Sequence, residues 1–238
     1  MICILLCAGY ATRMYPLTEN QPKSLLLIKG KTIIDYLIDD LEIKKYIDRY
    51  IIVSNDKFYF NFLEWSKTRK ENIIVLNDGT KTNENRLGAV KDIEFAIEEL
   101  DINEDALVMA GDNLLTFSLN EFIEFFKEQN QSSIMVYYEN EFKKLIKSGV
   151  AILDEKNNVL NFNEKPSNPT SNYCCPPFYL LKKCDLSKVK MAIDGGCKVD
   201  SPGLFLEWLS DKTNLVAWKM TGERVDVGDL ETYNKLNR

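Results

Sequence analysis

Residues 1–25 read MICILLCAGYATRMYPLTENQPKSL, and this opening stretch decides the fold class. Residues 1–8 are apolar, lack the basic start of a signal peptide and meet Gly9 too soon to cross a membrane. They predict a buried strand that ends in a glycine loop. Similar apolar runs recur at 50–53, 73–76 and 106–110, separated by segments of helical spacing at 32–43, 57–67 and 87–100. This alternation predicts βαβ units and a mostly parallel, buried sheet.

The C-terminal part of the chain has a different pattern. A helix at 119–126 and a strand at 133–138 precede a predicted hairpin of 149–153 and 159–162, which turns at 155–158. After them we expect a strand at 178–181, helices at 186–193 and 203–209, strands at 215–219 and 224–227, and a helix at 230–236. The whole pattern predicts an α/β protein with a Rossmann-like three-layer fold, in which a smaller antiparallel region forms the second wall of a cleft.

The amino-acid composition excludes several kinds of catalytic site. The 238 residues include 30 Lys+Arg, 36 Asp+Glu and no histidine, which gives a formal net charge of −6. The missing histidine excludes a Ser-His-Asp triad, a histidine zinc site and an imidazole proton shuttle. The acidic balance argues against nucleic-acid and anionic-membrane partners, and no later stretch reaches the ~18 apolar residues of a membrane span. Six cysteines without a C-x-x-C pair predict reduced thiols in a cytoplasmic protein.

The loop after the first predicted strand suits an anion. Ligands of open α/β sheets bind at the carboxyl ends of strands, where Gly9 and the small Ala11 let backbone N–H groups approach phosphate oxygens. The planar guanidinium of Arg13 can donate two hydrogen bonds to a phosphate, and the ammonium of Lys23 supplies a compact positive charge. The loop matches neither G-x-G-x-x-G nor a P-loop. On the residues alone, both cations are equally well explained as solvated surface charges.

The segment 6–18, LCAGYATRMYPLT, followed by Pro22-Lys23, resembles the signature loop of the sugar-phosphate nucleotidylyltransferases. That family includes glucose-1-phosphate thymidylyl- and uridylyltransferases and small cytidylyltransferases. Its loop usually reads G-x-G-[TS]-R, and we expect Ala11 to replace the second glycine with little effect if its φ is negative. The resemblance implies that Arg13 and Lys23 are catalytic and that the nucleotide is bound by Ala8, Gly9, Tyr10, Ala11, Thr12 and Arg13.

Two aspartates are candidate metal ligands. Asp112 follows the apolar run 106–110 and Gly111, and Asp226 lies in the segment RVDVG at 224–228. Mg²⁺ prefers oxygen ligands and often takes one or two carboxylates together with phosphates and waters. Each aspartate could equally be a turn or helix-cap residue, the role that we assign to Asp229. The resemblance implies that Asp112 and Asp226 hold Mg²⁺ and that Asp112 also contacts the nucleotide, because the family has a Gly-Asp and a late Asp-x-Gly.

The resemblance also implies a site for the acceptor substrate. Glu164 and Lys165 match a Glu-Lys-Pro motif in which the glutamate binds a sugar hydroxyl and the lysine binds the substrate's phosphate, so Lys165 is a third catalytic candidate. Gly149 matches a glycine strand that faces the sugar. Where many members have Gly-Ile-Tyr, this chain has CCPPFY at 174–179, and its two prolines remove N–H donors. Tyr179 is a candidate pocket residue, although a single aromatic residue is more often part of the core.

The nucleobase is expected at the loop 80–89. The family has a Gly-Leu-Ala-like stretch beneath the base. In this chain we expect Gly88 to lie against the nucleobase. Asn85 is the candidate that reads the base edge, with Asn83 and Arg86 as further candidates. The loop does not choose between CTP, UTP and dTTP.

The resemblance implies a single nucleotidyltransferase domain over 1–238, with a nucleotide-binding half at 1–145 and an acceptor-binding half at 146–238. The expected activity transfers a nucleotidyl group from CTP, UTP or dTTP to a phosphorylated small molecule, first of all a sugar 1-phosphate, with Mg²⁺ and release of pyrophosphate. Three alternatives stay open: a cytidylyltransferase acting on a non-sugar phosphate or phosphonate, a metal-dependent glycosyltransferase, and a non-catalytic module that binds nucleotide sugars. The chain lacks the Asp-x-Asp motif common in such glycosyltransferases. A homo-oligomer is compatible with the sequence.

Overall fold

The computed structural model describes residues Met1–Arg238 and contains fourteen strands and nine α-helices. The strands, numbered in chain order, are β1 (Ile2–Leu6), β2 (Leu27–Ile28), β3 (Lys31–Thr32), β4 (Arg49–Ser54), β5 (Ile73–Asn77), β6 (Ala106–Ala110), β7 (Asn113–Leu115), β8 (Ser133–Tyr138), β9 (Gly149–Leu153), β10 (Val159–Glu164), β11 (Tyr173–Cys175), β12 (Phe178–Leu181), β13 (Val216–Lys219) and β14 (Arg224–Asp226). The helices are α1 (Ile33–Ile38), α2 (Tyr59–Ser66), α3 (Ala89–Leu100), α4 (Asn120–Gln129), α5 (Phe142–Leu145), α6 (Lys183–Leu186), α7 (Val189–Asp194), α8 (Gly203–Ser210) and α9 (Leu230–Leu236). None of these helices combines the length and the apolar character that a membrane crossing needs.

The chain divides into two compact units. The first unit comprises Met1–Leu87, Met109–Leu119 and Gly222–Arg238. The second unit comprises Gly88–Val108 and Asn120–Thr221. Strand β6 runs through the boundary, so its first three residues belong to the second unit and its last two to the first.

The first unit contains a sheet in the order β6–β1–β4–β5. β1 pairs in parallel with β4, and β4 pairs in parallel with β5. Four of the five residues of β1 are buried, as expected for a strand of a sheet that is covered on both faces. The predicted βαβ pattern and the α/β class are confirmed.

The second unit has mixed strand directions, in the order β10–β9–β11–β8–β12–β6. β9 and β10 form the predicted antiparallel hairpin. β11 pairs with the end of β8, at Tyr137 and Tyr138, and β12 pairs with its start, at Ser133 and Ile134. β13 adds a parallel partner to β8. The break between β11 and β12 falls at the proline pair 176–177, because a proline cannot donate to a strand ladder.

Two predicted helices are shorter than expected. The first ends at Ile38 rather than at residue 43, and Leu41, which has helical spacing, is 76% exposed. Asp40 follows the helix, and its Oδ1 accepts a hydrogen bond from the backbone N–H of Glu42 at 3.1 Å, a local bond that competes with helix continuation. The helix predicted at 186–193 begins later, as α7 at Val189, and the separate short helix α6 ends at Leu186.

A small apolar core under the first loop positions the candidate site. Met14 and Val227 pack together in this core with Leu26, Ile28 and Ile33. The apolar face of α9 covers the cluster. The side chain of Asp229 accepts a hydrogen bond from the Thr232 N–H at 2.8 Å, so its predicted role as the N-cap of the last helix is confirmed. The core therefore holds the residues beside Arg13 and Asp226 in fixed positions.

Candidate active site

The loop after β1 turns at Ala11, whose backbone is left-handed, with φ 47° and ψ 40°. The condition of a negative φ, under which alanine was expected to replace the second glycine with little effect, is therefore not met. The Ala11 carbonyl accepts hydrogen bonds from the Met14 N–H at 2.9 Å and from Thr18 Oγ1 at 2.8 Å, which hold this conformation. A left-handed alanine costs about 1–2 kcal/mol. The preference for glycine at the matching position thus has a conformational reason, and the alanine is strained.

Buried side chains anchor the same loop from below. Asn55, directly after β4, is fully buried and donates from Nδ2 to the carbonyl oxygen of Ala8 at 2.8 Å. Tyr10 is only 4% exposed, and its hydroxyl lies 3.3 Å from Oγ1 of Thr80. The Tyr10 side chain is therefore an anchor that ties the first loop to the loop after β5. A ligand can use the backbone at Tyr10 but not its ring.

The opposite side of the loop is open. A Cβ at Gly9 would meet no atom within 4 Å. Thr12 and Arg13 are exposed. A nucleotide phosphate can therefore reach the backbone at Gly9 and the guanidinium of Arg13.

Lys23 and Asp112 form an ion pair at the carboxyl end of β6. Lys23 Nζ lies 2.5 Å from Asp112 Oδ2, and the other oxygen of Asp112 accepts a hydrogen bond from Asn113 Nδ2 at 2.7 Å. Gly111, directly before Asp112, packs closely on Cys7 and on Ser24, since a Cβ there would lie 2.4 Å from Cys7 Sγ and 3.0 Å from Ser24 Oγ. The carboxylate of Asp112 is thus held at both oxygens.

Asp226 joins the pair through strand pairing. β14 runs antiparallel to β7 with Asp226 opposite Asn113, and the Val227 N–H donates to the carbonyl of Asp112 at 3.0 Å. Desolvation by surrounding protein atoms raises the pKa of Asp226, and the carboxylate of Asp112 raises it further, against the opposing charges of Lys23, Arg224 and Arg13. The Asp226 side chain nevertheless remains exposed, so a ligand can reach it. The first unit therefore brings Arg13, Lys23, Asp112 and Asp226 together.

The two carboxylates fit a divalent cation. Both supply the oxygen donors that Mg²⁺ prefers, and the carboxylate of Asp112 raises the cost of charging Asp226, a repulsion that a cation between them would relieve. No third acidic or cysteine side chain completes a protein cage around them. This matches an ion that takes one or two carboxylates and fills its other positions with phosphates and waters.

The candidate base loop is shaped by local hydrogen bonds. Asn85 Oδ1 accepts from the Thr82 N–H at 3.0 Å and thereby caps the short 3₁₀ turn Asn83–Asn85. Arg86 Nη1 donates to the carbonyl of Asn83 at 3.0 Å. In the second unit, Gly88 has φ 94° and packs so closely against Val199 that a Cβ would lie 2.6 Å from the Val199 oxygen. The side-chain oxygen of Asn85 is thus engaged within its own loop.

The second unit brings together three of the four residues expected to bind the acceptor substrate. Glu164 lies opposite Gly149 in the β9–β10 hairpin, and Lys165 Nζ lies 3.5 Å from Glu164 Oε1. Lys165 is exposed and has a left-handed backbone with φ 51°. Tyr179 is only 3% exposed and pairs with Ile134 inside the sheet, so it is a core residue and not part of this cluster.

Sequence reasoning missed several residues that complete these clusters. Asn113 and Arg224 flank the two aspartates, and the Arg224 guanidinium donates to the side-chain oxygen of Asn113. Their positions next to Asp112 and Asp226 were a usable signal. Ser201, which bonds to Glu164, had no such signal, because only the folded chain brings it there.

An open glycine loop after β1, two cations and two carboxylates, one after β6 and one on β14, form a site in an α/β protein whose charges and open backbone suit phosphate groups. The family model described as nucleotidyl transferase matches residues 2–238. The chain belongs to this family, as the resemblance of its first loop predicted.

Relatives and solved structures agree with this assignment. The bifunctional protein GlmU of Methanocaldococcus jannaschii is 30% identical over 187 residues, which are 77% of this chain and 40% of that protein. The chain therefore spans about two fifths of the length of this relative. The UTP–glucose-1-phosphate uridylyltransferase AglF of Haloferax volcanii is 25% identical over 254 residues, which cover 100% of this chain and 96% of AglF. The UTP-bound UGPase from Acinetobacter baumannii has a TM-score of 0.79 at 18% identity and covers 100% and 92% of the two chains, which confirms the fold.

Proposed function

We propose that the chain transfers a nucleotidyl group from a nucleoside triphosphate to a sugar 1-phosphate, forming a nucleoside-diphosphate sugar and releasing pyrophosphate. The observation that carries this proposal is the meeting of Lys23, Asp112 and Asp226 beside the open first loop. A cation and two carboxylates at this place suit the charge of a triphosphate together with a divalent ion.

The reaction needs no general base. An oxygen of the sugar phosphate attacks the α-phosphorus in line, a new P–O bond forms, and the bond to the bridging oxygen of the β-phosphate breaks. The attacking phosphate is already largely ionised at neutral pH, because its second pKa is about 6. A chain without histidine can therefore catalyse the transfer by positioning and by charge stabilisation.

Each cluster has a role in this scheme. Arg13 holds the leaving β- and γ-phosphates, and Lys23 stabilises the charge that develops at the α-phosphate. Asp112 and Asp226 would hold Mg²⁺, which neutralises phosphate charge when bound. In the second unit, Glu164 accepts a hydrogen bond from a sugar hydroxyl, and Lys165 binds the sugar phosphate.

A substrate matrix tests the proposal. CTP, UTP, dTTP, GTP and ATP are each combined with several sugar 1-phosphates, phosphocholine and a phosphonate, and pyrophosphate is measured with Mg²⁺ present. We test UTP first because AglF is named for this nucleotide. Pyrophosphate release with at least one sugar 1-phosphate supports the proposal. Release of a nucleoside diphosphate from a nucleotide sugar, without pyrophosphate, contradicts it and indicates glycosyl transfer.

None of the six cysteines forms a disulfide, and four of them, Cys3, Cys7, Cys174 and Cys175, are buried. Free thiols persist in reducing compartments. We place the proposed activity in the cytoplasm on this ground.

A further inference from the structure

Glu164, which the proposed function assigns to the acceptor substrate, is packed against two glycines. Its side chain is 8% exposed. A Cβ at Gly203 would lie 2.0 Å from Glu164 Oε2, and a Cβ at Gly149 would lie 3.0 Å from the same oxygen. The carboxylate therefore occupies space that any larger residue at Gly203 would fill.

The start of α8 holds this carboxylate. Ser201, two residues before the helix, donates from Oγ to Glu164 Oε1 at 2.5 Å. The helix α8 also packs against β10, the strand that ends at Glu164. The segment that carries the Glu-Lys-Pro motif is thus attached to α8 by packing of the strand and by the hydrogen bond of the Glu164 side chain.

The two oxygens of Glu164 have different surroundings. Oε1 accepts from Ser201 and has Lys165 Nζ at 3.5 Å. Oε2 has no hydrogen-bond donor within the chain and lies over the glycines. A carboxylate fixed at one oxygen has a defined rotamer, so the direction of its second oxygen is set before a ligand arrives.

We propose that Ser201 is a positioning residue for recognition of the acceptor substrate, and that Gly203 provides the space this function requires. Ser201 holds Oε1 so that Oε2 is presented to a hydroxyl of the substrate. The inference rests on the proposed function, which assigns Glu164 to the sugar.

Steady-state kinetics with the most active substrate pair from the matrix test this role. S201A should raise the KM for the sugar phosphate about 10-fold or more, since a hydrogen bond to a charged group contributes about 1.5–3 kcal/mol. The KM for the nucleotide should stay within about twofold. S201T keeps the hydroxyl and should restore the KM for the sugar phosphate. S201C keeps the side-chain volume but is a weaker hydrogen-bond donor, so its KM for the sugar phosphate should lie between those of wild type and S201A. This variant maintains the test if S201A does not fold.

S210A is the matched control. Ser210 lies at the other end of α8, where its Oγ donates to the carbonyl of Glu207 at 3.0 Å, so its loss should change neither KM. G203A should raise the KM for the sugar phosphate like S201A, because its Cβ displaces Oε2. An unchanged KM in S201A, an equal rise for both substrates, or failure of S201T to restore binding overturns the inference. A wild-type protein that releases no pyrophosphate with any pair overturns the proposed function itself, and with it the assignment of Glu164.

Discussion

Lys23 Nζ lies 2.5 Å from Oδ2 of Asp112, so the cation and one of the two candidate metal ligands neutralise each other in the free protein. Both side chains are largely shielded, at 15% and 27% exposure. The lysine is therefore held in place by a carboxylate of the same site before any phosphate arrives.

Replacing Lys23 by methionine should lower kcat/KM for pyrophosphate release about 10²–10³-fold, the usual effect of removing one group that stabilises transition-state charge. The K67M variant is the control, because Lys67 is 67% exposed and pairs only with Glu64 on the surface of α2. Near-normal turnover in K23M would contradict the role of Lys23.

Removing the Asn113 side chain should weaken metal binding, because this buried residue links both aspartates. Its Nδ2 holds Asp112 at 2.7 Å, and its backbone lies opposite Asp226. We expect N113L to lower the affinity for Mn²⁺ about 10–100-fold, as measured by electron paramagnetic resonance of the free ion. D112N is the reference for the loss of a ligand. Equal Mn²⁺ affinity in N113L and wild type would show that Asn113 does not position Asp112.

The strained Ala11 offers a stability test. Glycine at this position should raise the free energy of unfolding by about 0.5–1 kcal/mol, because it removes about 1–2 kcal/mol of left-handed strain but adds about 0.4–1 kcal/mol of chain entropy to the unfolded state. Urea denaturation measures the difference. The same change at Ala96, in the middle of α3, should instead lower the stability by about 1 kcal/mol. A lower free energy of unfolding for A11G than for wild type would contradict the assignment of backbone strain to Ala11.

Glu71 should make stability depend on pH in the acid range. Burial alone would raise the pKa of Glu71, but hydrogen bonds from Lys44, from the backbone and from Arg69 outweigh it and lower the pKa to about 2 from the ordinary 4.5. Because the folded-state pKa is the lower one, the stabilisation is fully present above about pH 4.5 and disappears as the pH falls through about 2. E71Q should therefore be less stable than wild type at pH 7, by roughly 1–3 kcal/mol, and the difference should vanish near pH 2.

The exposed pair Lys67–Glu64 supplies the control for this experiment. Glu64 is 71% exposed, and E64Q should change the stability at pH 7 by less than about 1 kcal/mol. A constant difference between E71Q and wild type from pH 7 to pH 2 would show that the charge of Glu71 is not the cause.

Features that depend on neighbouring residues were predictable from the sequence. The strands β6, β8, β9 and β12 have the predicted bounds, because a continuous apolar run specifies a buried strand locally. Asp229 was predicted as a helix cap because its role depends only on the next three residues. The family was identified from the resemblance of the first loop to a known signature, and the family model that matches residues 2–238 confirms it.

The tertiary structure decided which distant residues meet. Asp226 reaches Asp112 because β14 pairs with β7, and Ser201 reaches Glu164 because α8 packs on β10. The tertiary structure also decided the left-handed backbone of Ala11, which is held by hydrogen bonds within the folded loop. It decided the early end of α1 as well, where Asp40 bonds to Ser118 and Leu119. Local patterns specify elements because their energies come from adjacent residues. The site exists only once strand pairing and helix packing bring separate segments together.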